Sequence, residues 1–507
     1  MIAAIIIVFT HDVALILTKP FWIDELWVAL SVNFPVADLP QLTSSTPIGW
    51  NAVQRLFAPL GEQAQRLLPL IFSWQATIVA YFIGYIAWTA PRLVKIATGI
   101  FVSASVTFMP LMLSRNDLKQ YTADVFFALL FLVLVVHIVR TKSSKALYVL
   151  TFCTATSLMF SVASVFPAMS AFAALVISAL IRREFRAMWC YSAFGAVAGV
   201  SMVALYFGFY RVALNTSLSQ SWAAYFPLLF DLPRYISMRI GEIVGVYGFA
   251  GRWGVVLVLA NVLGAFGVLA WRDHNRAMAF YPFILCGLMC IVGVLQFYPL
   301  LDKRTSLFLW VTIVAITALT LARLATLVSG TIRGGRWNKF LLPSFFLIAM
   351  AVVVGIGAPS LRAHLPLRED ARSQINFIRH HMHNGDVIVT DQFGALALAY
   401  YWPGLHAQWV PCKLDTTGFR IVFSAESGVF VTTDESLVGQ ISAAATRQRS
   451  ETVWFIVTHR KGGNSPAFVE FGKFKALANV STRQIDVGSE PLYTVEVASL
   501  RQGTTCR

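Results

Sequence analysis

Long apolar runs separated by short polar loops fill the first 358 residues of the chain. An α-helix needs on the order of 20 apolar residues to cross the hydrocarbon core of a bilayer. Because the runs are of about this length, we interpret each of them as a spanning helix. The pattern predicts about eleven such helices, near residues 1–18, 67–89, 95–113, 124–139, 146–161, 163–181, 187–208, 254–271, 278–296, 306–323 and 340–358.

The pattern changes after residue 358, where short apolar stretches alternate with amphipathic ones. Runs rich in Val, Ile and Phe favour buried strands, and the stretches between them have helical spacing. This alternation predicts a small soluble α/β domain over 359–507, following a transmembrane domain over 1–358. The sequence of this predicted C-terminal domain contains no phosphate-binding glycine-rich loop and no metal-ligand spacing. The predicted strands are 386–390, 452–457 and 492–497, and the predicted helices are 368–384, 394–401 and 467–478.

The composition agrees with an α-helical polytopic membrane protein. Of the 507 residues, 57% are hydrophobic and only 13% are charged, whereas a soluble protein carries roughly 25% charged residues. A net charge of +15 suggests nucleic-acid binding at first, but many basic residues lie in short loops, where they set membrane topology. Because no basic, aromatic-rich soluble module is present, nucleic acid is excluded as a partner.

Loop charges predict the orientation of the chain. Five short loops carry basic residues and almost no acidic ones, which places them in the cytoplasm by the positive-inside rule. The N-terminus is then cytoplasmic and the C-terminal domain extracytoplasmic. Loops on the opposite side, such as 19–66 and 297–305, are longer and mix both signs of charge, as loops that carry function tend to do. The basic residues behind this prediction are Arg92, Lys95, Arg140, Lys142, Lys145, Arg182, Arg183, Arg186, Arg272, Arg276, Arg323, Arg333, Arg336 and Lys339.

Three features leave alternatives open. The first run lacks the marks of a signal peptide but contains His11 and Asp12; either these residues face a polar cavity or the true start lies upstream. Residues 50–66 favour an amphipathic helix that either lies in the membrane interface or packs on the bundle. Cys412 and Cys506 would be able to form a disulfide if the C-terminal domain is extracytoplasmic.

The hexapeptide Trp22-Ile23-Asp24-Glu25-Leu26-Trp27 follows the first apolar run. Carboxylates near lipid are costly and are rarely without a function, and tryptophan is enriched at the boundary between water and lipid. We therefore expect chemistry at the acidic pair Asp24 and Glu25, where a carboxylate can act as a general base.

Two further clusters lie on the same predicted side of the membrane. Their Arg and Lys side chains can bind phosphate oxygens through charge-assisted hydrogen bonds, and their tyrosines offer aromatic surface to a sugar or a lipid. The alternative is that these loop charges are merely solvated, or that they anchor helix ends at the interface. The candidates are Arg115, Asp117, Lys119 and Tyr121 before the fourth span, and Tyr298, Lys303 and Arg304 before the tenth.

The order of these motifs resembles that of a known superfamily. The Trp-x-Asp-Glu loop at 22–25 precedes Thr46-Pro47-Ile48-Gly49-Trp50, which precedes Gln65-Arg66-Leu67-Leu68-Pro69 and then Asp117-x-Lys119-x-Tyr121. This order is similar to the GT-C superfamily of polyprenyl-phosphate-sugar-dependent glycosyltransferases. The nearest groups are bacterial relatives of protein O-mannosyltransferases and of lipid A aminoarabinose or galacturonic acid transferases. The resemblance covers essentially the whole chain.

The resemblance implies an inverting glycosyltransferase of the bacterial inner membrane that works on the periplasmic side of the cell envelope. Its donor would be a polyprenyl-phosphate sugar, and its acceptor an extracytoplasmic lipid, glycan or protein. By position, Asp24 would be the catalytic residue, with Glu25 beside it. Lys119 and either Lys303 or Arg304 would bind the donor phosphate.

Other site residues follow from the same resemblance. A Glu-x-Arg-x-Tyr segment of the superfamily falls on Asp117, Lys119 and Tyr121, with both charges retained. The segment 46–50 departs from the superfamily pattern, because it lacks the basic residue and the second proline. No cofactor is implied with certainty. If the acceptor were itself a phosphate, no base would be needed, and Asp24 would orient the acceptor or hold a divalent cation.

Two other function classes remain open from the sequence. A lipid or sugar transporter would suit an intramembrane charge such as Asp12, but the chain shows no duplicated halves and no paired Gly/Pro-broken spans. A path of charged residues across the membrane midplane would favour transport, whereas convergence on one side would favour a transferase. The other class is a non-catalytic sensor that binds through its C-terminal domain.

Overall fold

A computed structural model shows a helical bundle followed by a small sheet region. His11, Asp12, Arg115, Cys506 and the predicted span 254–271 lie outside the described residues, so the expectations that concern them stay predictions. The structure describes residues 13–35, 37–38, 46–87, 89–113, 117–211, 222–246, 276–331, 338–362, 370–412, 418–432, 437–448, 450, 452–458, 465–476, 481–487 and 490–496.

The helix Tyr121–Thr141 lies at the centre of the bundle. It packs against Leu67–Ile86, Val165–Ile181 and Leu307–Thr331, and 78% of its most apolar stretch is buried. A helix that is apolar on all sides has to be enclosed in this way, or by lipid. By contrast, Phe185–Tyr210 is only 11% buried, so its apolar side chains face outward.

The bundle helices begin and end as follows. Among the described residues they are Val13–Thr18, Ile23–Ser31, Ile48–Phe57, Glu62–Gln65, Leu67–Ile86, Arg92–Thr107, Pro110–Leu113, Tyr121–Thr141, Ser144–Ser157, Val165–Ile181, Phe185–Leu205, Leu232–Val246, Arg276–Val294, Leu307–Thr331 and Asn338–Arg362. The helix Ile48–Phe57 buries Trp50, Asn51 and Gln54, and it therefore packs on the bundle.

Five helices in the described part of the chain are long and apolar enough to cross a membrane. The prediction of about eleven spans is thus not confirmed. The apolar run 95–113 is divided into two helices, with Pro110 at the start of the second, and the run 146–161 forms a helix of only 14 residues. Counted together with adjoining short helical turns where these occur, so that some bounds differ slightly from those above, the five helices are Glu62–Ile86, Tyr121–Thr141, Val162–Ile181, Phe185–Tyr210 and Leu307–Ser329.

The C-terminal region forms a mixed five-stranded sheet. The strands of this region are β1 (Val387–Asp391), β2 (Gln408–Pro411), β3 (Phe419–Val422), β4 (Val429–Thr432), β5 (Thr452–Ile456), β6 (Thr482–Val487) and β7 (Glu490–Glu496), and the helices are Ala371–His381, Gln392–Tyr401, Val438–Arg447 and Pro466–Lys475. The strand order of the sheet is β4-β1-β5-β7-β6. The strands β4, β1 and β5 run parallel, β7 is antiparallel to both β5 and β6, and β2 and β3 form a separate antiparallel pair.

The C-terminal region packs on one end of the bundle. One buried apolar cluster joins Phe21, Leu26 and Phe34 to Leu396 and Phe419 of the sheet region. The helix Gln392–Tyr401 packs directly on Ile23–Ser31. The acidic pair found in the sequence therefore lies where the two parts of the chain meet.

Candidate active site

The helix Ile23–Ser31, called the Asp24 helix below, carries the acidic pair in its first turn. Negative charge is favourable there because of the helix dipole. The Glu25 carboxylate accepts a hydrogen bond from the Trp22 backbone N–H at 3.2 Å, which closes the start of the helix. Every residue of the helix is buried except Asp24, whose side chain is 23% exposed. The local fold thus leaves one carboxylate of the pair accessible.

Glu25 is fixed by a buried ion pair with Arg66. Arg66 donates from Nε and Nη2 to the two carboxylate oxygens, at 3.2 and 2.7 Å, and both side chains are fully buried. The same guanidinium donates to the backbone oxygens of Ile16, Lys19 and Pro20. Because both oxygens of Glu25 are engaged, the geometry favours a positioning role for Glu25 and leaves Asp24 as the residue suited to chemistry.

Arg304 contacts the accessible carboxylate. Its Nη1 donates to Asp24 Oδ2 at 2.8 Å, and its guanidinium lies 5.3 Å from the centroid of the Trp222 ring. The backbone is fixed as well, because the N–H groups of Arg304 and Thr305 both donate to Asp302 Oδ2 at 2.9 Å. A rigid turn therefore presents this cation to Asp24.

Lys119 is a second cation near Asp24. It is only 4% exposed, and its ammonium lies 3.9 Å from the centroid of the Trp27 ring, within range of a cation–π interaction. Its loop is anchored because Trp50 Nε1 donates to the Leu118 oxygen at 2.7 Å. The segment 46–50 thus supports the loop that carries Lys119.

The pKa of Lys119 is lowered from its usual value to about 8. Burial is the main cause, because it penalises the charged form, and Arg304 lowers the pKa further. The carboxylates of Asp24 and Asp117 act in the opposite direction. Lys119 is therefore charged below pH 8 and loses its proton above it.

If Lys119 binds the donor phosphate, as the sequence predicts, the affinity for polyprenyl phosphate should fall as the pH rises through this range. The protonated fraction of a group with a pKa of about 8 falls about tenfold between pH 7 and pH 9, and the affinity should follow it if the charged form binds the phosphate. Lys119→Met should bind weakly at both pH values. Equilibrium binding of polyprenyl phosphate by the purified protein checks this, and a wild-type affinity that stays constant from pH 7 to pH 9 would contradict it.

Two other predicted residues lie around this centre. Asp117 is 3% exposed, and Lys19 Nζ donates to its Oδ1 at 3.5 Å. Tyr121 is the first residue of the central helix and is also buried. Burial by itself would lower the pKa of Arg304, but Tyr121 and the nearby carboxylates, including Asp24, raise it overall. Arg304 therefore remains a cation.

The structure distinguishes the residues of the loop before Leu307. Tyr298 donates to the Thr305 oxygen at 3.0 Å, and burial raises its pKa well above the usual value, so it keeps its proton and braces the turn. Lys303 is partly exposed, and no ion pair to it is found within the described part of the chain. The sequence left Lys303 and Arg304 as equal candidates, and only Arg304 is held against Asp24.

Two residues of the site were not predicted as such. Arg66 opens a span on the predicted extracytoplasmic side, which is unusual under the positive-inside rule. This unusual position could have marked Arg66 as a candidate site residue. Trp222 lies beside Arg304, but no motif or charge in the sequence around it marks it as a site residue.

Among the described residues, the charged groups near Asp24 favour an anion over a divalent cation. Such ions prefer several oxygen ligands, whereas the charged groups found beside Asp24 are the cations Arg304 and Lys119. Within the described ranges, no group of three His, Cys, Asp or Glu side chains is placed to hold a metal ion. An anionic group is the better match to this site.

A solved oligosaccharyltransferase structure has a similar fold. The crystal structure of the oligosaccharyltransferase of Archaeoglobus fulgidus in the apo form aligns with a TM-score of 0.50 at 10% identity, over 89% of this chain and 68% of that chain. The two chains share a fold. At this identity the likeness concerns the fold alone.

Two further structures from Archaeoglobus fulgidus align less well. One is the oligosaccharyltransferase AglB in complex with an inhibitory peptide and a dolichol-phosphate, at 10% identity, covering 86% of this chain and 66% of that chain with a TM-score of 0.44. The other is the oligosaccharyltransferase in complex with Zn and sulfate, at 11% identity, covering 85% and 62% with a TM-score of 0.44. No family model and no curated protein matches the sequence.

Proposed function

We propose that the chain is an integral membrane glycosyltransferase of the GT-C type. It moves a sugar from a polyprenyl-phosphate donor to an extracytoplasmic lipid, glycan or protein, with inversion at the anomeric carbon. The observation that carries this proposal is the 2.8 Å contact between Asp24 and Arg304, with the cation Lys119 beside both. The fold shared with an oligosaccharyltransferase supports it.

In the proposed reaction, Asp24 accepts the proton of an acceptor hydroxyl as general base. The hydroxyl oxygen forms a bond to the anomeric carbon of the sugar. The bond between that carbon and the phosphate oxygen breaks, and its electron pair leaves with the polyprenyl phosphate. Attack on the face opposite the leaving group inverts the configuration. Because phosphate is a good leaving group, it needs charge stabilisation rather than a general acid.

Arg304 is suited to link the base and the leaving group. A guanidinium has five N–H donors, and the contact with Asp24 uses only Nη1. The remaining donors are candidates for the phosphate oxygens, and Lys119 supplies the second positive charge. Glu25 and Arg66 hold the Asp24 helix in place, and Tyr298 braces the turn that carries Arg304. Asp117 and Tyr121 lie near Arg304 and help to keep it charged.

Transport is the weaker candidate. A transporter needs a polar path through the middle of the bundle. Asp24, Lys119 and Arg304 instead meet at one end of the bundle, where the C-terminal region packs. This arrangement favours a reaction at one membrane surface.

We expect Arg304→Ala to raise the KM for the donor by about 10–100-fold, because a hydrogen bond to a charged group contributes about 1.5–3 kcal/mol. Lys303→Ala is the matched control from the adjacent position and should change the KM less than about threefold, since its charge is solvated. Steady-state kinetics of both variants with the same donor provide the measurement. Equal effects of the two substitutions would contradict the assignment of Arg304.

The proposal is tested with the purified chain in lipid nanodiscs. A panel of synthetic polyprenyl-phosphate sugars is offered as donors, with neutral hexose, uronic acid and aminopentose head groups, and an envelope lipid extract as acceptor. Mass spectrometry should detect free polyprenyl phosphate together with a sugar-modified acceptor for one donor. If every donor stays intact while the chain moves one of them across a vesicle membrane, the chain is a transporter and the proposal is wrong.

A further inference from the structure

The Asp24 helix is enclosed on nearly all sides. Of its nine residues, all but Asp24 are buried. A short helix of this kind takes its position from what surrounds it rather than from its own stability. Part of the enclosure comes from the C-terminal region, because Ile23, Leu26 and Leu30 belong to the same buried cluster as Leu396 and Leu398.

Aromatic contacts hold the segments on both sides of this helix against the C-terminal region. Before the helix, the Phe21 ring lies 5.5 Å from the Tyr400 ring. After the helix, the Phe34 ring lies 4.7 Å from Trp409 and 4.9 Å from Phe419. The helix is thus clamped at both ends by residues from one part of the chain, and those residues are more than 350 positions away in the sequence.

A polar contact fixes the end of the helix that carries Asp24. The Phe21 backbone N–H donates to Tyr401 Oη at 2.9 Å, three residues before Asp24. Burial raises the pKa of Tyr401 above its usual value, so the hydroxyl keeps its proton. The hydroxyl lies beside the Glu62 carboxylate, which pairs with Arg372 at 3.3 Å. One hydroxyl therefore joins the Asp24 segment, the bundle and the C-terminal region.

We propose that Tyr401 is a positioning residue: its hydroxyl sets the place of Asp24 relative to the substrates, and the C-terminal region thereby completes the active site. The kinetic part of this inference rests on the proposed function. The energetic reason is that a catalytic group displaced by about 1 Å can lose about 10²-fold in rate, while the binding of the donor by Arg304 and Lys119 is unaffected.

The first test does not depend on the substrates. Hydrogen–deuterium exchange is measured on the full chain in nanodiscs for Tyr401→Phe and for the matched control Tyr400→Phe, which keeps the ring contact with Phe21. We expect the backbone amides of residues 21–26 to exchange about tenfold faster in Tyr401→Phe and at the wild-type rate in Tyr400→Phe, since local opening depends on the contacts that hold a segment. Equal exchange in the two variants would overturn the inference.

The second test is kinetic and uses the donor that yields product. Tyr401→Phe should lower kcat about 3–10-fold, in line with the loss of one hydrogen bond, with the donor KM within twofold of wild type. In an Asp24→Asn background the same substitution should have no further effect, because residues that act through one another are not additive. A change in donor KM alone, or the same loss of kcat in both backgrounds, would refute a positioning role.

The two proposals fail in different ways. Failure of the wild-type chain to transfer a sugar from any donor would overturn the proposed function, and full activity of Asp24→Asn would overturn the role of Asp24 as its general base, whatever Tyr401 does. Loss of activity in Asp24→Asn, together with a Tyr401→Phe variant that behaves like Tyr400→Phe in both tests, would overturn the positioning role alone.

Discussion

Asp24→Asn is expected to slow sugar transfer by about 10²–10⁴-fold, the usual cost of removing a general base. The asparagine keeps the shape of the side chain and can still hydrogen-bond, but it cannot take a proton from the acceptor hydroxyl. Because Asp24 is the partly exposed residue of its helix, the fold should remain intact. Transfer rates and the thermal stability of both proteins in nanodiscs provide the measurement.

Asp38→Asn is the matched control for this substitution. Asp38 is a partly exposed carboxylate in the turn that follows the Asp24 helix, and its replacement should leave the rate within about twofold of wild type, as is usual for surface substitutions. Near-normal transfer by Asp24→Asn, or an equal loss in both variants, would rule out Asp24 as the base.

Arg66→Ala is expected to destabilise the protein by about 3–5 kcal/mol, because it leaves the carboxylate of Glu25 buried without a partner. Both side chains are fully buried, and the same guanidinium also holds three backbone oxygens before the Asp24 helix. Denaturant-dependent unfolding in mixed micelles measures the effect.

An exposed ion pair in the same chain serves as the control for Arg66→Ala. Lys142 and Glu184 pair at the surface with 47% and 37% exposure, and such pairs contribute about 0–1 kcal/mol. Lys142→Ala should therefore be nearly neutral. If Arg66→Ala were as stable as Lys142→Ala, the buried pair would not be what holds the Asp24 helix.

Local patterns in the sequence predicted much of the fold. The span predicted at 124–139 is the helix Tyr121–Thr141, and the strand predicted at 386–390 is β1 at Val387–Asp391. Each contains an uninterrupted apolar stretch, at 125–136 and at 387–389, so its burial can be predicted from composition. The strand β2 was missed, because three of its four residues are exposed and it therefore has no apolar run.

The candidate site was predictable only in part. Asp24 was found because a carboxylate next to an apolar run is visible locally. Its partner Arg304 lies 280 positions away, and nothing in the pattern separates it from Lys303. The buried pair of Glu25 and Arg66 was missed for the same reason. Tertiary contacts, not periodicity, decide which charges meet.

The central claim, that this chain transfers a sugar to an envelope acceptor through Asp24, is tested most directly in cells. Membrane glycolipids and glycoproteins are compared by mass spectrometry between a strain that lacks the chain, one restored with the wild type, and one restored with Asp24→Asn. The account predicts one sugar mass on an acceptor that is present only with the wild type. Identical profiles in all three strains, or full restoration by Asp24→Asn, would contradict it.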